Sequence, residues 1–166
     1  NLRLSAHERR LIMTGSQATQ SIHPGLLTDE PIDLGLFTKQ SDLRAGAQVI
    51  FAGRVRNHHG GREVNHLEYS AHQKLAPIMI SQILREESDK RQLYEAMAVH
   101  RIGSVGLGEI AVVVVTSAAH RAEAYEANQR IIHRIKHEVP IWKKEYFADG
   151  SWEWGTCDHS AGPGSL

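Results

Sequence analysis

The sequence predicts an α+β domain, with two long helices laid on a mainly antiparallel sheet. Segments with strand-like alternation outnumber helical ones, and the two helices are separated by a pair of such segments, so the regular strand-helix-strand rhythm of a parallel sheet is missing. Glycine-bearing breaks follow several of the strands at hairpin spacing. With 166 residues, 41% hydrophobic and 23% charged, the chain has the bulk for one moderate core.

Residues 1–30 mix Arg, Ser, Thr, Gln and His without a sustained period and read as a weakly structured extension, with a short helix near residues 6–13. The folded domain is placed at 31–157 and a flexible tail at 158–166. Ile32, Leu34 and Leu36 alternate as a short strand, 41–46 forms a turn, and 47–55 is a strong strand. Residues 56–62 carry two glycines and connect to a second strand over 63–69. Leu75, Met79, Ile80, Ile83 and Leu84 recur at helical spacing, which predicts a helix over 71–90 that tolerates Pro77 only near its start. A hairpin over 96–102 and 110–117 follows, with 103–108 as its turn. Ala124, Ala127, Ile131, Ile132 and Ile135 mark a second helix over 120–139. Residues 141–147 and 151–156 close the domain as a last hairpin.

Lys plus Arg equals Asp plus Glu at 19 each, so no global field draws the protein to nucleic acid or to anionic lipid; any positive site is local. The single cysteine, Cys157, excludes an internal disulfide and fits a reducing compartment, so a cytoplasmic location is expected. The longest strongly apolar run, Ile110 to Val115, is too short to span a bilayer, and no membrane association is expected.

Few motifs carry chemistry. The glycine run from Gly103 to Gly108 precedes a strand and so offers no helix N-terminus to a phosphate; it reads as a turn. His133 and His137 stand one helical turn apart with no acidic base between them in the metalloprotease arrangement and no third ligand evident, and His58-His59 is equally weak, so no metal site is assigned. Arg54 and Arg56 share one face of a strand end, where Arg56 could meet an anion. His120-Arg121 opens a helix, where free N–H groups already favour negative charge. Lys136 falls in the last turn of that helix, Pro140 stops it, and the chain resumes as a strand carrying Lys143 a short reversal away. On that strand, alternation groups Lys143 with Ile141 and Glu145 and sends Lys144 with Trp142 and Tyr146 to the opposite face. Two lysines, a histidine and an arginine are thus expected to converge on an anionic substrate.

Four stretches occur in an order and spacing that resemble the large, catalytic subunit of molybdopterin synthase: Phe51-Ala52-Gly53-Arg54-Val55-Arg56-Asn57-His58, His100-Arg101-Ile102-Gly103, Ser117-Ala118-Ala119-His120-Arg121, and Lys136 followed by Pro140-Ile141-Trp142-Lys143-Lys144-Glu145. The resemblance implies an α/β-hammerhead domain, a homodimer, and a small ubiquitin-like sulfur-carrier subunit at each end, making a heterotetramer. It implies transfer of sulfur from a thiocarboxylate at the carrier's C-terminal glycine to cyclic pyranopterin monophosphate, forming the dithiolene of molybdopterin. Lys136 matches the key catalytic lysine and Lys143 the second; Arg56, His120 and Arg121 would bind the anionic substrates, and no metal or diffusible cofactor is implied. The family usually places Ser two positions before the histidine, where this chain has Ala118.

Two other classes compete. A ferredoxin-like RNA-binding module fits the central strand-helix-strand-strand-helix-strand order, yet its strands offer only Phe51 and Tyr69 for stacking. A stand-alone Schiff-base enzyme would also use Lys136.

Overall fold

The computed structural model describes residues 21–39 and 42–155. Ten strands, β1 (Ser21–Ile22), β2 (Leu26–Thr28), β3 (Ala47–Arg54), β4 (His58–His59), β5 (Arg62–Ala71), β6 (Glu95–Arg101), β7 (Gly103–Gly106), β8 (Ile110–Ala118), β9 (Ile141–Phe147) and β10 (Trp152–Trp154), form two five-stranded sheets. In the first, β6 and β8 are central, β3 pairs the outer side of β8, and β1 and β2 pair β6. In the second, the order is β10-β9-β5-β4, with β7 also on β5. Only β1 and β2 run parallel to their neighbour β6; the other pairings are antiparallel. This is the expected α+β class, but two sheets replace the single sheet that a ferredoxin-like module would need.

The central strands explain the apolar run of the sequence. Every residue of β6 and β8 is buried, because both faces of this sheet are covered. On one face lie the two helices, α1 (Leu75–Arg91) and α2 (Arg121–Glu138), which present Ala76, Ile80, Ile83 and Leu84, and Ala124, Ala127, Ile131 and Ile135. On the other, Ile32 and Phe37 cover Met97, Val99, Val113 and Val115. A third cluster, with Val55, Val64, Leu67, Val105, Ala111 and Phe147, fills the space beneath the second sheet.

Several expectations need correction. The alternation of Ile32, Leu34 and Leu36 is not a strand: Leu34–Leu36 is a 3-10 turn, capped by Asp33 Oδ1 accepting from the Gly35 N–H at 2.9 Å, and Leu36 stays exposed. β1 and β2 lie inside the stretch read as a weakly structured extension; their hydrogen bonds come from a distant strand, which no local pattern announces. The helix expected near 6–13 and Cys157 lie outside the described residues. The β6–β8 pair forms as expected, but the residues between are more than a turn: Gly103, at φ 78°, swings the chain out of the first sheet so that β7 joins β5 of the second. Residues 56–62, read as a loop, contain β4, folded back on β5 through Gly60 and Gly61, both at positive φ.

Candidate active site

Polar contacts fix α2 on the first sheet. Buried Asn128 donates to the carbonyls of Val49 and Val114, at 3.1 and 3.0 Å, and Thr116 Oγ1 donates to the Ala124 carbonyl at 2.8 Å. Arg134 reaches Glu87 of α1, itself buried, and so ties the two helices together. α2 stops at Val139, whose extended backbone (φ −86°, ψ 135°) leads into Pro140 and then β9. Lys136 is therefore held at the end of a rigid helix. Lys143 comes from β9, opposite Tyr69 of β5.

Both lysines line one cationic cavity with two lobes. The lobe of about 470 Å³ is bounded by Phe51, His58, Val64, Leu67 and Glu145. The lobe of about 490 Å³ is bounded by His100, Ile135, Trp142, Trp154 and Gly155. Lys136, Lys143, Arg54, Arg56, His59 and Tyr69 border both lobes. Arg54 and Arg56 thus share a face, as their spacing predicts, while Val55 between them is buried. Four fixed positive charges against the carboxylate of Glu145 suit an anionic ligand.

Two further groups shape the electrostatics. Burial lowers the His100 imidazole from 6.5 to about 4; its hydrogen bond with the Arg101 carbonyl opposes this, and the Lys136 charge adds to it. His100 is therefore neutral at physiological pH. Its Nδ1 donates to that carbonyl at 2.8 Å, which leaves Nε2 as an acceptor. Burial pushes the Glu145 carboxyl up, but hydrogen bonds from Lys143 and His59 outweigh it and hold the group below the ordinary carboxylate value. Lys143 Nζ lies 2.7 Å from Oε1, and His59 Nδ1 lies 2.5 Å from Oε2.

Of the residues expected in the site, Lys136, Lys143 and Arg56 come together, whereas His120 and Arg121 do not join them within one chain. They stand exposed at the N-terminus of α2, and fifteen residues at 1.5 Å each put Arg121 about 22 Å from Lys136 along the axis. The His120 side chain makes no capping hydrogen bond. His59 and Glu145 are site residues that the sequence patterns leave without a role, although the two-residue spacing of Lys143 and Glu145 places both on one face of β9. The pairing with His59 crosses from β4 to β9 and has no local signal. Lys144, on the other face, lies 3.7 Å over the Trp152 ring. The stacked rings of His133 and His137 lie 4.1 Å apart, and among the described residues no three metal-binding side chains gather.

The pattern of the MoaE protein family matches residues 27–138. The molybdopterin synthase catalytic subunit of Bacillus subtilis is 43% identical over 125 residues, covering 75% of this chain and 80% of that protein. That of Thermoplasma volcanium is 41% identical over 124 residues, 75% of this chain and 89% of that one. The crystal structure of molybdopterin synthase from Staphylococcus aureus superposes with a TM-score of 0.73 at 36% identity, over 79% of this chain and 96% of that chain. A complex of subunits 1 and 2 of molybdopterin-converting factor from Helicobacter pylori, at 18% identity and a TM-score of 0.61 over 84% of this chain and 93% of that one, shares the fold.

Proposed function

The chain belongs to the family of MoaE proteins, the catalytic subunits of molybdopterin synthase, and on that premise we propose that its cationic cavity is where a sulfur-transferring reaction runs. The donor in this reading is the C-terminal thiocarboxylate of a small ubiquitin-like partner subunit, and the acceptor is cyclic pyranopterin monophosphate. Two transfers convert the acceptor to the dithiolene of molybdopterin. Both ligands are anionic, which is the chemistry a cavity rimmed by Arg54, Arg56, Lys136 and Lys143 favours. Lys136 is assigned proton transfer and stabilisation of the charge that develops as sulfur leaves the donor and a carboxylate replaces it. Lys143 and Arg56 orient the anions.

His120 and Arg121 keep their assignment as substrate-binding residues only in a homodimer, where a second copy brings the N-terminus of its α2 to this cavity. The two copies with two small subunits would form a heterotetramer. The working unit comprises the domain placed at 31–157 together with β1 and β2, which complete its first sheet. The reaction is assigned to the cytoplasm; no helix of the described residues is long and apolar enough to cross a membrane.

The observation that carries this reading is that Lys136, from a helix end, and Lys143, from a strand, border the same two lobes. Reconstitution with a thiocarboxylated small subunit and cyclic pyranopterin monophosphate tests it. The dithiolene product should form with the native chain and fall by about 100-fold or more with Lys136→Ala, the scale for losing a group that stabilises developing charge. Near-native turnover in that variant would refute the role of Lys136.

A further inference from the structure

Lys143 is not the only group that Glu145 holds. The carboxylate is buried, with 2% of the residue exposed, and its two oxygens are taken by different elements: Oε1 by Lys143 of β9 and Oε2 by His59 of β4. A buried carboxylate in this position has few alternatives, because each unpaired oxygen carries a desolvation cost. With Oε2 anchored, the carboxylate plane is fixed and Oε1 stays aimed at the Lys143 ammonium. His59 sits on the strand that leads to the Gly60–Gly61 tip and borders both lobes of the cavity.

We propose that His59 is a positioning residue: through Glu145 it fixes where the Lys143 ammonium stands in the cavity. The working element is the Nδ1–H hydrogen bond, which holds the carboxylate against rotation. The inference rests on the reading of Lys143 as a group that acts on the substrate, yet the placement of its amine can be followed without turnover.

Two substitutions separate the hydrogen bond from the bulk of the ring. His59→Asn retains a donor, because the amide nitrogen stands at the same number of bonds from the backbone as Nδ1. His59→Ala retains none. His59 is on a partly exposed hairpin arm, outside the three core clusters, so both variants are expected to fold. Trace acylation with acetic anhydride, read by mass spectrometry at Lys143 against the exposed Lys74, reports how firmly the amine is held in the absence of substrate. In His59→Ala, Lys143 should be acylated several-fold faster, because its counter-oxygen is no longer fixed. kcat in the reconstituted reaction should fall about tenfold, the scale of one charge-assisted hydrogen bond. His59→Asn should return both quantities to near the native values. Equal behaviour of the two variants, or unchanged Lys143 acylation in His59→Ala, would overturn the proposal. Native kcat in Lys143→Ala would instead refute the role of Lys143 and leave the acylation result to judge the placement by itself.

Discussion

Gly155 lies directly against Lys143. A methyl group added there would collide with Cε of that lysine and stand 3.1 Å from its Nζ, while the Gly155 N–H donates to the Lys143 carbonyl at 2.8 Å. The stem of Lys143 thus passes through space that only glycine leaves open. Gly155→Ala should displace the ammonium from Glu145 and lower turnover about tenfold. The obstructed atoms belong to a flexible side chain that can move aside, so the unfolding free energy should change by less than about 1 kcal/mol. Turnover and urea unfolding measured on one preparation test both halves.

The two neighbouring lysines of β9 should behave differently. Lys143 faces the cavity, and Lys144 faces Trp152 and Tyr146 on the other side of the sheet. Lys143→Ala is expected to cost turnover by about 100-fold, whereas Lys144→Ala removes an exposed cation–π contact and should stay within about threefold of native. Equal losses in the reconstituted assay would show that the strand alternation does not set their roles.

Asn128 bears on stability before it bears on catalysis. Replacing it with Ala removes the hydrogen bonds that its amide donates to the carbonyls of Val49 and Val114 and leaves a gap between α2 and the sheet. A loss of about 1–3 kcal/mol is expected in chemical denaturation. Because the same contacts set the seat of α2, the residual activity of the folded variant should also drop.

His100 makes stability depend on pH. Its folded value, about 4, lies below its ordinary 6.5, so between these limits the unfolded chain binds a proton that the folded one does not. Its contribution is fully present above pH 6.5 and is lost as pH falls through about 4. The full loss is on the order of 3 kcal/mol, since a tenfold change in proton affinity corresponds to about 1.4 kcal/mol. Urea unfolding followed from pH 6.5 down to 4 should show this slope in the native chain and a shallower one in His100→Gln. Parallel slopes would remove His100 as the cause.

Both helices, β3, β5, β6, β8 and β9 are legible in the sequence because each buries a periodic face, and period is what a sequence displays. β1, β2 and β4 are two or three residues long and owe their existence to partners far along the chain, so nothing local marks them. Leu34 to Leu36 alternate like a strand, yet the Asp33 cap on Gly35 decides the geometry. In the site, Lys136 and Lys143 can be paired on paper because Pro140 fixes the reversal between them. Within one chain His120 and Arg121 stand a helix length from Lys136, a separation that nearness in sequence hides. His59 looks like half of a weak metal pair, since its real partner is 86 positions away.

The passage of the chain through Gly103 has a consequence for heat tolerance. His100, on one side of that corner, floors the cavity; Tyr69, which pairs with Gly103, stands next to Lys143 on its wall. The backbone from His100 to Gly103 therefore carries the chain from the floor to the strand hydrogen-bonded beside that wall. Warming should therefore abolish catalytic competence and native near-ultraviolet dichroism over the same few degrees, with no milder inactive stage preceding the melt.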